Sequence, residues 1–187
     1  MRTAVMTAGD GGAAIGLTRA RADLADSAVE QLYREHRLQM VRLAYLLVGD
    51  RESAEDIAQD AFAALHRHWR QLRSTDAAIG YLRTATVNGA RSLLRRRRTV
   101  RRFPQPDDSA LTVESAEATS MLSAEHSEVL NAMRRLPDRQ REVLLLRYWS
   151  ELGEAEIART LGISIGAVKS NASRGRATLA TMLGQDR

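Results

Sequence analysis

Lys169, Ser170, Asn171, Ser173, Arg174 and Arg176 crowd six hydrogen-bond donors into eight residues. Guanidinium and ammonium groups neutralise phosphates, while amide and hydroxyl groups pair with base edges, so the set suits nucleic-acid contact. Such donors act together only if one rigid element presents them, and the preceding residues supply it. In Glu154–Arg176, Ile157, Ala158 and Leu161 fall at helical spacing, and Gly162 stands where a helix would end in a left-handed residue. Ser164 is a good N-cap for a second helix and adds a donor at its start. Ala158, Gly162 and Val168 follow the order of a helix-turn-helix: a small residue at the crossing, glycine at the turn, a buried aliphatic beyond. The rival is an ordinary αα-hairpin with a solvated polar face. Turn chemistry and a donor-rich face coincide here, which favours DNA.

A second basic feature lies upstream. Residues 91–102 contain seven arginines and no acid, and they end an amphipathic pattern that also carries Asn88. Trp69 and Tyr81 stand near its start. Aromatics beside arginines suit exposed bases and their backbone, whereas a solvated helix end is the plain alternative. Asp50, Glu52, Glu55, Asp56 and Asp60 form an acidic stretch, either favouring a helix N-terminus or docking a basic partner. No catalytic constellation emerges: there is no phosphate-cradling glycine loop and no nucleophile-elbow signature. His66 and His68 lack further ligands, cysteine is absent, and no metal or other cofactor is expected.

The 187 residues carry a net charge of +5, pointing to an anionic partner. No apolar run approaches the ~20 residues of a membrane span, so the chain is expected to be soluble and cytoplasmic, associated with the nucleoid. The periodicity predicts an all-α fold of two small helical domains joined by an acidic flexible linker, the C-terminal one a helix-turn-helix. Residues 1–25 read as a mobile tail and 26–102 as the first domain. Its helices are marked by Val29, Leu32, Met40, Leu43 and Leu47, then by Ile57, Ala61, Phe62, Leu65 and Trp69, then by Ile79, Tyr81, Leu82 and Val87. Ser53 with Asp56 is expected to cap the second helix, and Thr75 or Asp76 the third. Residues 103–122, with two prolines, four carboxylates and no base, read as the linker. Residues 123–187 form the second domain. There Pro137 stops a helix, Asp138 caps the next, and Val143, Leu144, Leu146 and Tyr148 form its apolar side. Both cores are marginal for their size, so partners are expected to add stability.

Three blocks resemble one family. Glu52-Ser-Ala-Glu-Asp-Ile-Ala-Gln-Asp-Ala-Phe62 and the residues to Trp69 are similar to the core-polymerase-binding segment of bacterial sigma factors of the extracytoplasmic function group, within the sigma-70 family. Tyr81-Leu-Arg-Thr-Ala-Thr-Val-Asn88 and the residues to Arg98 resemble that family's helix for the −10 promoter element. Leu136-Pro-Asp-Arg-Gln-Arg-Glu-Val-Leu-Leu-Leu-Arg-Tyr148 and the helix-turn-helix resemble its −35-reading domain. The arginine-rich, lysine-poor composition fits an actinobacterial-like member. The resemblance implies an alternative sigma factor, not an enzyme, that binds core RNA polymerase and directs initiation at promoter DNA. Asp56, Gln59, Asp60 and Phe62 would pack on the clamp helices of the largest polymerase subunit. The loop with Arg73 and Ser74 would hold a flipped −10 base, and Asn88, Arg91 and Arg95 the non-template strand. Ser164, Lys169, Ser170, Asn171, Ser173 and Arg174 would face the −35 element, with Arg176 on phosphates. An anti-sigma factor is a further candidate partner.

Three departures carry expectations. Gly153 replaces the usual Ser or Thr cap, weakening a helix start by up to a few tenths of a kcal/mol. Gly89 and Ser92 replace larger polar groups beside the −10 contacts. Gly175 costs the recognition helix about 1 kcal/mol against Ala and is expected to let it approach DNA closely. A free-standing helix-turn-helix regulator is the rival function, separable by its binding duplex DNA tightly without polymerase. An RNA-binding adaptor using the arginine run would instead survive loss of residues 124–187.

Overall fold

The computed structural model describes residues 11–72, 74–102 and 124–185. Seven α-helices stand among the described residues: α1 (Gly11–Val48), α2 (Arg51–His68), α3 (Thr75–Arg102), α4 (Ala124–Arg135), α5 (Asp138–Leu144), α6 (Glu154–Leu161) and α7 (Ile165–Gln185). Helix α1 begins at Gly11, so residues 11–25, expected within a mobile tail, are helical. That segment is alanine-rich and free of proline, and a helix already nucleated downstream extends through it at little cost. Arg73 and the expected linker lie outside the described residues.

Helices α1, α2 and α3 form a three-helix bundle, and α4–α7 pack on one another as a second unit. Leu32, Met40, Phe62, Leu65 and Leu82 bury one end of the bundle. The other end does not close on itself. Leu43, Leu46 and Leu47 of α1, Ile57 of α2 and Val87 of α3 share a single apolar cluster with Met133, Leu136, Val143, Leu146, Ile157 and Val168. The two units therefore share part of their apolar burial.

Local signals explain most helix ends, with three changes. Asp50, not Ser53, caps α2: its carboxylate accepts from the Ser53 backbone N–H at 2.8 Å. Ser74, not Thr75 or Asp76, caps α3, accepting from the Ala77 N–H at 3.2 Å. Pro137 takes the N-cap position of α5, leaving Asp138 as its first helical residue. In each case the residue at the N-cap precedes the expected one by one to three positions; at α2 and α3 its side chain turns back on the first turn, whereas Pro137 makes no side-chain cap bond. Helix α5 runs into a π-helical turn, Leu145–Trp149. Its extra residue rotates Tyr148, expected in the core, to the surface, where it is 59% exposed beside Trp149 at 45%.

Candidate nucleic-acid interface

The helix-turn-helix forms as its residues predict. Gly162 adopts φ +64° and ψ +40°; its N–H and that of Ile163 donate to the Arg159 and Ala158 carbonyls, at 3.4 and 3.0 Å. This pair of bonds ends α6 in a conformation that only a residue without Cβ takes cheaply. Gly153 offers no side-chain cap, but its N–H donates to Glu156 Oε2 at 3.1 Å, which restores half of the lost bonding. Ser164 Oγ accepts from the Ala167 N–H at 3.1 Å and opens α7. Its hydroxyl is thus engaged in capping while the residue stays exposed.

On α7, Val168 and Ala172 point into the core. At 100° per residue, Ser170 and Ser173 occupy the middle of the opposite, exposed face, with Lys169 and Arg176 along one edge and Arg174 along the other. Lys169, itself exposed, lies 3.6 Å from Glu154 Oε2, a pair that contributes little in water. Asn171 departs from the expected set. It is half-buried, and its amide donates to the Ala167 carbonyl at 2.8 Å along its own helix. Gly175 also serves a different end. A Cβ there would meet Leu144 Cδ1 at 2.9 Å, so the glycine lets α7 approach α5 rather than DNA. Gly89 does the same between α3 and α2, where a Cβ would lie 3.0 Å from Ile57 Cγ2.

On α3, Asn88 and Arg95 are exposed and Arg91 is half-buried. Arg91 forks onto Glu142 of α5, Nε to Oε1 and Nη2 to Oε2, both at 2.7 Å. Arg98 reaches Asp138 at 2.8 Å. Arg97 turns the other way and donates to Asp50 at 2.6 Å and to Ser53 Oγ at 2.9 Å. The basic run is therefore not one solvated stripe: three of its arginines are committed to carboxylates, while Arg95 and Arg96 are exposed. Trp69 and Tyr81, expected beside exposed bases, are half-buried against the bundle core. Tyr81 packs on His68 with ring centroids 5.6 Å apart.

The acidic face of α2 narrows in the same way. Asp56, Gln59 and Asp60 are exposed on one side, and neither aspartate makes an ion pair among the described residues. Glu55 pairs with Arg51 at 2.9 Å. Asp50 belongs to the helix cap. Burial opposes its ionisation, but hydrogen bonds from Arg97 and from the Ser53 backbone and hydroxyl, with the Arg97 charge, hold its carboxyl below the usual range. Phe62 is only 5% exposed and stands edge-on to Tyr33 at 5.0 Å. It belongs to the core of the bundle. Glu142 is the residue that sequence reasoning missed. The signal was a lone carboxylate leading directly into Val143-Leu144-Leu145-Leu146, where only a paired acid is buried at low cost.

Residues 32–100 match the family described as Sigma-70 region 2, and residues 126–179 the family described as Sigma-70, region 4. The chain is 33% identical over 157 residues to the ECF RNA polymerase sigma factor SigM of Mycobacterium tuberculosis, covering 84% of this chain and 78% of that protein. It is 30% identical over 150 residues to the RNA polymerase sigma-E factor of Streptomyces antibioticus, covering 80% and 81%. Its fold is similar to that of the sigma factor RpoE of Bartonella quintana, solved with the anti-sigma factor NepR, at TM-score 0.68 and 24% identity over 84% of this chain and 98% of that one. Two sigma-70 regions in order on one chain, and relatives aligned along most of it, make the protein a member of the extracytoplasmic function group of sigma-70 family RNA polymerase sigma factors.

Proposed function

We propose that three helix faces divide the work of this sigma factor. Asp56, Gln59 and Asp60 of α2 dock on a basic surface of core RNA polymerase. The loop at Arg73 and Ser74, with Asn88, Arg91 and Arg95 of α3, engages the non-template strand of the −10 element. Lys169, Ser170, Ser173, Arg174 and Arg176 of α7 read the −35 element, with Asn171 and Ser164 fixing the helix that presents them. The carrying observation is the separation of charge on the folded chain. Donor faces stand on α3 and α7, in different units, while α2 keeps an acidic face whose aspartates make no ion pair among the described residues. Cationic faces bind phosphate and lose affinity as salt rises; an acidic face does not bind DNA and needs a protein partner.

Two small DNA surfaces give weak binding apart and strong binding when one partner aligns them, so specificity requires polymerase. An anti-sigma factor is a further proposed partner, identifiable by co-purification from the native cell, and the cytoplasmic nucleoid is the proposed place of action. The test is reconstitution. Purified protein should bind core polymerase in a pull-down and confer transcription from promoters carrying both elements. Tight, specific duplex binding by the free protein, with no core association, would establish the free-standing regulator instead.

A further inference from the structure

Of residues 95–99 on α3, Arg97 alone is not exposed. Asn88 and Arg95, seven residues apart, share one exposed line along the helix. At 100° per residue Arg97 lies roughly 180–200° around from both, so the packing that turns Arg97 inward turns them outward. Its guanidinium reaches three acceptors at the turn between α1 and α2. Nη2 donates to Asp50 Oδ2 at 2.6 Å and to Ser53 Oγ at 2.9 Å, and Nη1 to the Val48 carbonyl at 3.4 Å. Val48 ends α1, Asp50 caps α2, and Ser53 belongs to the first turn of α2. Arg97 and Asp50 are 29% and 25% exposed, so salt screens this pair less than a surface one.

A second fixed point lies about two turns earlier on α3. There Gly89 lets the helix press on α2, where a Cβ would stand 3.0 Å from Ile57 Cγ2. One contact would leave α3 free to pivot on α2. Two contacts, about 12 Å apart along α3, fix its rotation and its register together. On α2 the same two contacts span residues 50–57, where the acidic face of Asp56, Gln59 and Asp60 begins.

We infer that Arg97 is a positioning residue that ties the strand-binding face of α3 to the polymerase-docking helix α2, so that a docked α2 presents Asn88 and Arg95 in one register. The planar fork of arginine suits a bridge to several acceptors, which the single ammonium of lysine would not reproduce. Without the bridge the last turns of α3 rotate and fray, and strand binding falls while docking, which uses other side chains, does not. The inference rests on the proposed division of work between α2 and α3.

The test uses the full chain assembled with core polymerase. Anisotropy follows a labelled single-stranded oligonucleotide of mixed sequence, with core alone as the blank, and core affinity is measured in parallel. Arg97→Gln should weaken strand binding about tenfold and leave core affinity within about twofold. Asp50→Asn should act in the same direction, because asparagine caps α2 as well as aspartate does but offers Arg97 no charge. In an Arg95→Ala chain, which already lacks the presented contact, Arg97→Gln should cost less than about twofold more. A purely structural Arg97 would add its full loss in either background, or lower core affinity along with strand binding, and either result overturns the inference. Wild-type strand binding by a folded Arg97→Gln chain overturns it too. If that variant does not fold, Asp50→Asn takes its place in the same cycle and is read by the same outcomes. Arg95→Ala separates the two ideas. Unchanged strand binding in that variant sinks the assignment of α3 itself, whereas loss there with none in Arg97→Gln sinks only the positioning role.

Discussion

Replacing Gly175 by Ala sets two calculable effects against each other. Alanine is favoured over glycine in a helix interior by about 1 kcal/mol, because the glycine backbone loses more freedom on folding. The new methyl, however, would lie 2.9 Å from Leu144 Cδ1 and 3.3 Å from Gln140 Cβ. Leu144 is 1% exposed, so its methyl cannot swing into solvent, and overpacking of this kind costs about 1–3 kcal/mol. The net expectation is a loss of about 1 kcal/mol, which for a chain of this size lowers Tm by roughly 2–4 °C. Gly80, inside α3, is the matched control: nothing lies within 4 Å of a Cβ built there. Gly80→Ala should therefore raise Tm by a similar amount. Thermal unfolding of both variants by circular dichroism checks the pair. If Gly175→Ala stabilises as much as Gly80→Ala, the close approach of α7 to α5 is wrong, and the glycine is free to serve DNA contact as its sequence position suggests.

The remaining expectations concern the cap of α2 and the two binding faces. Asp50→Ala removes a helix cap and the partner of Arg97, and should cost about 1–2 kcal/mol near neutral pH. The Asp50 carboxyl is held low in the folded chain, so its stabilisation is complete above the unfolded value of about 3.9 and drains away as pH falls through the folded value. The Tm difference between wild type and Asp50→Ala should accordingly shrink as pH falls below that unfolded value; a gap that does not narrow in acid would refute the assignment. Arg174→Ala should weaken transcription most at templates with a −35 sequence, and equal loss on every template argues against base reading. Asp60→Arg should abolish core association in a pull-down while leaving the circular dichroism spectrum intact, and retained association would remove α2 from the docking role.

The helix-turn-helix was legible because its signals are local. A left-handed glycine, a serine cap and aliphatics one turn apart act within a few residues of one another, and tertiary packing had only to accept them. The order of the blocks and the acidic face at Asp56 and Asp60 were legible for the same reason. Residues with a choice of neighbours were read less well. Phe62 and Trp69 carry both an apolar period and the look of contact residues; in the fold Phe62 is a core residue, and Trp69 is half-buried against that core. Tyr148 follows the apolar period of α5 until a π turn, which no propensity announces, carries it outward.

Sequence alone determined most of the helices, their amphipathic faces and the total charge, since each follows from side chains a turn or less apart. Only the tertiary structure decided where the charges are spent. Arg91 is separated from Glu142 by 51 residues and Arg97 from Asp50 by 47, and no period in the chain relates them. A run of seven arginines states that the chain carries positive charge, and packing decides which of them remain to meet an anion, because a guanidinium already forked onto a buried carboxylate is released only when the helices that join them move apart.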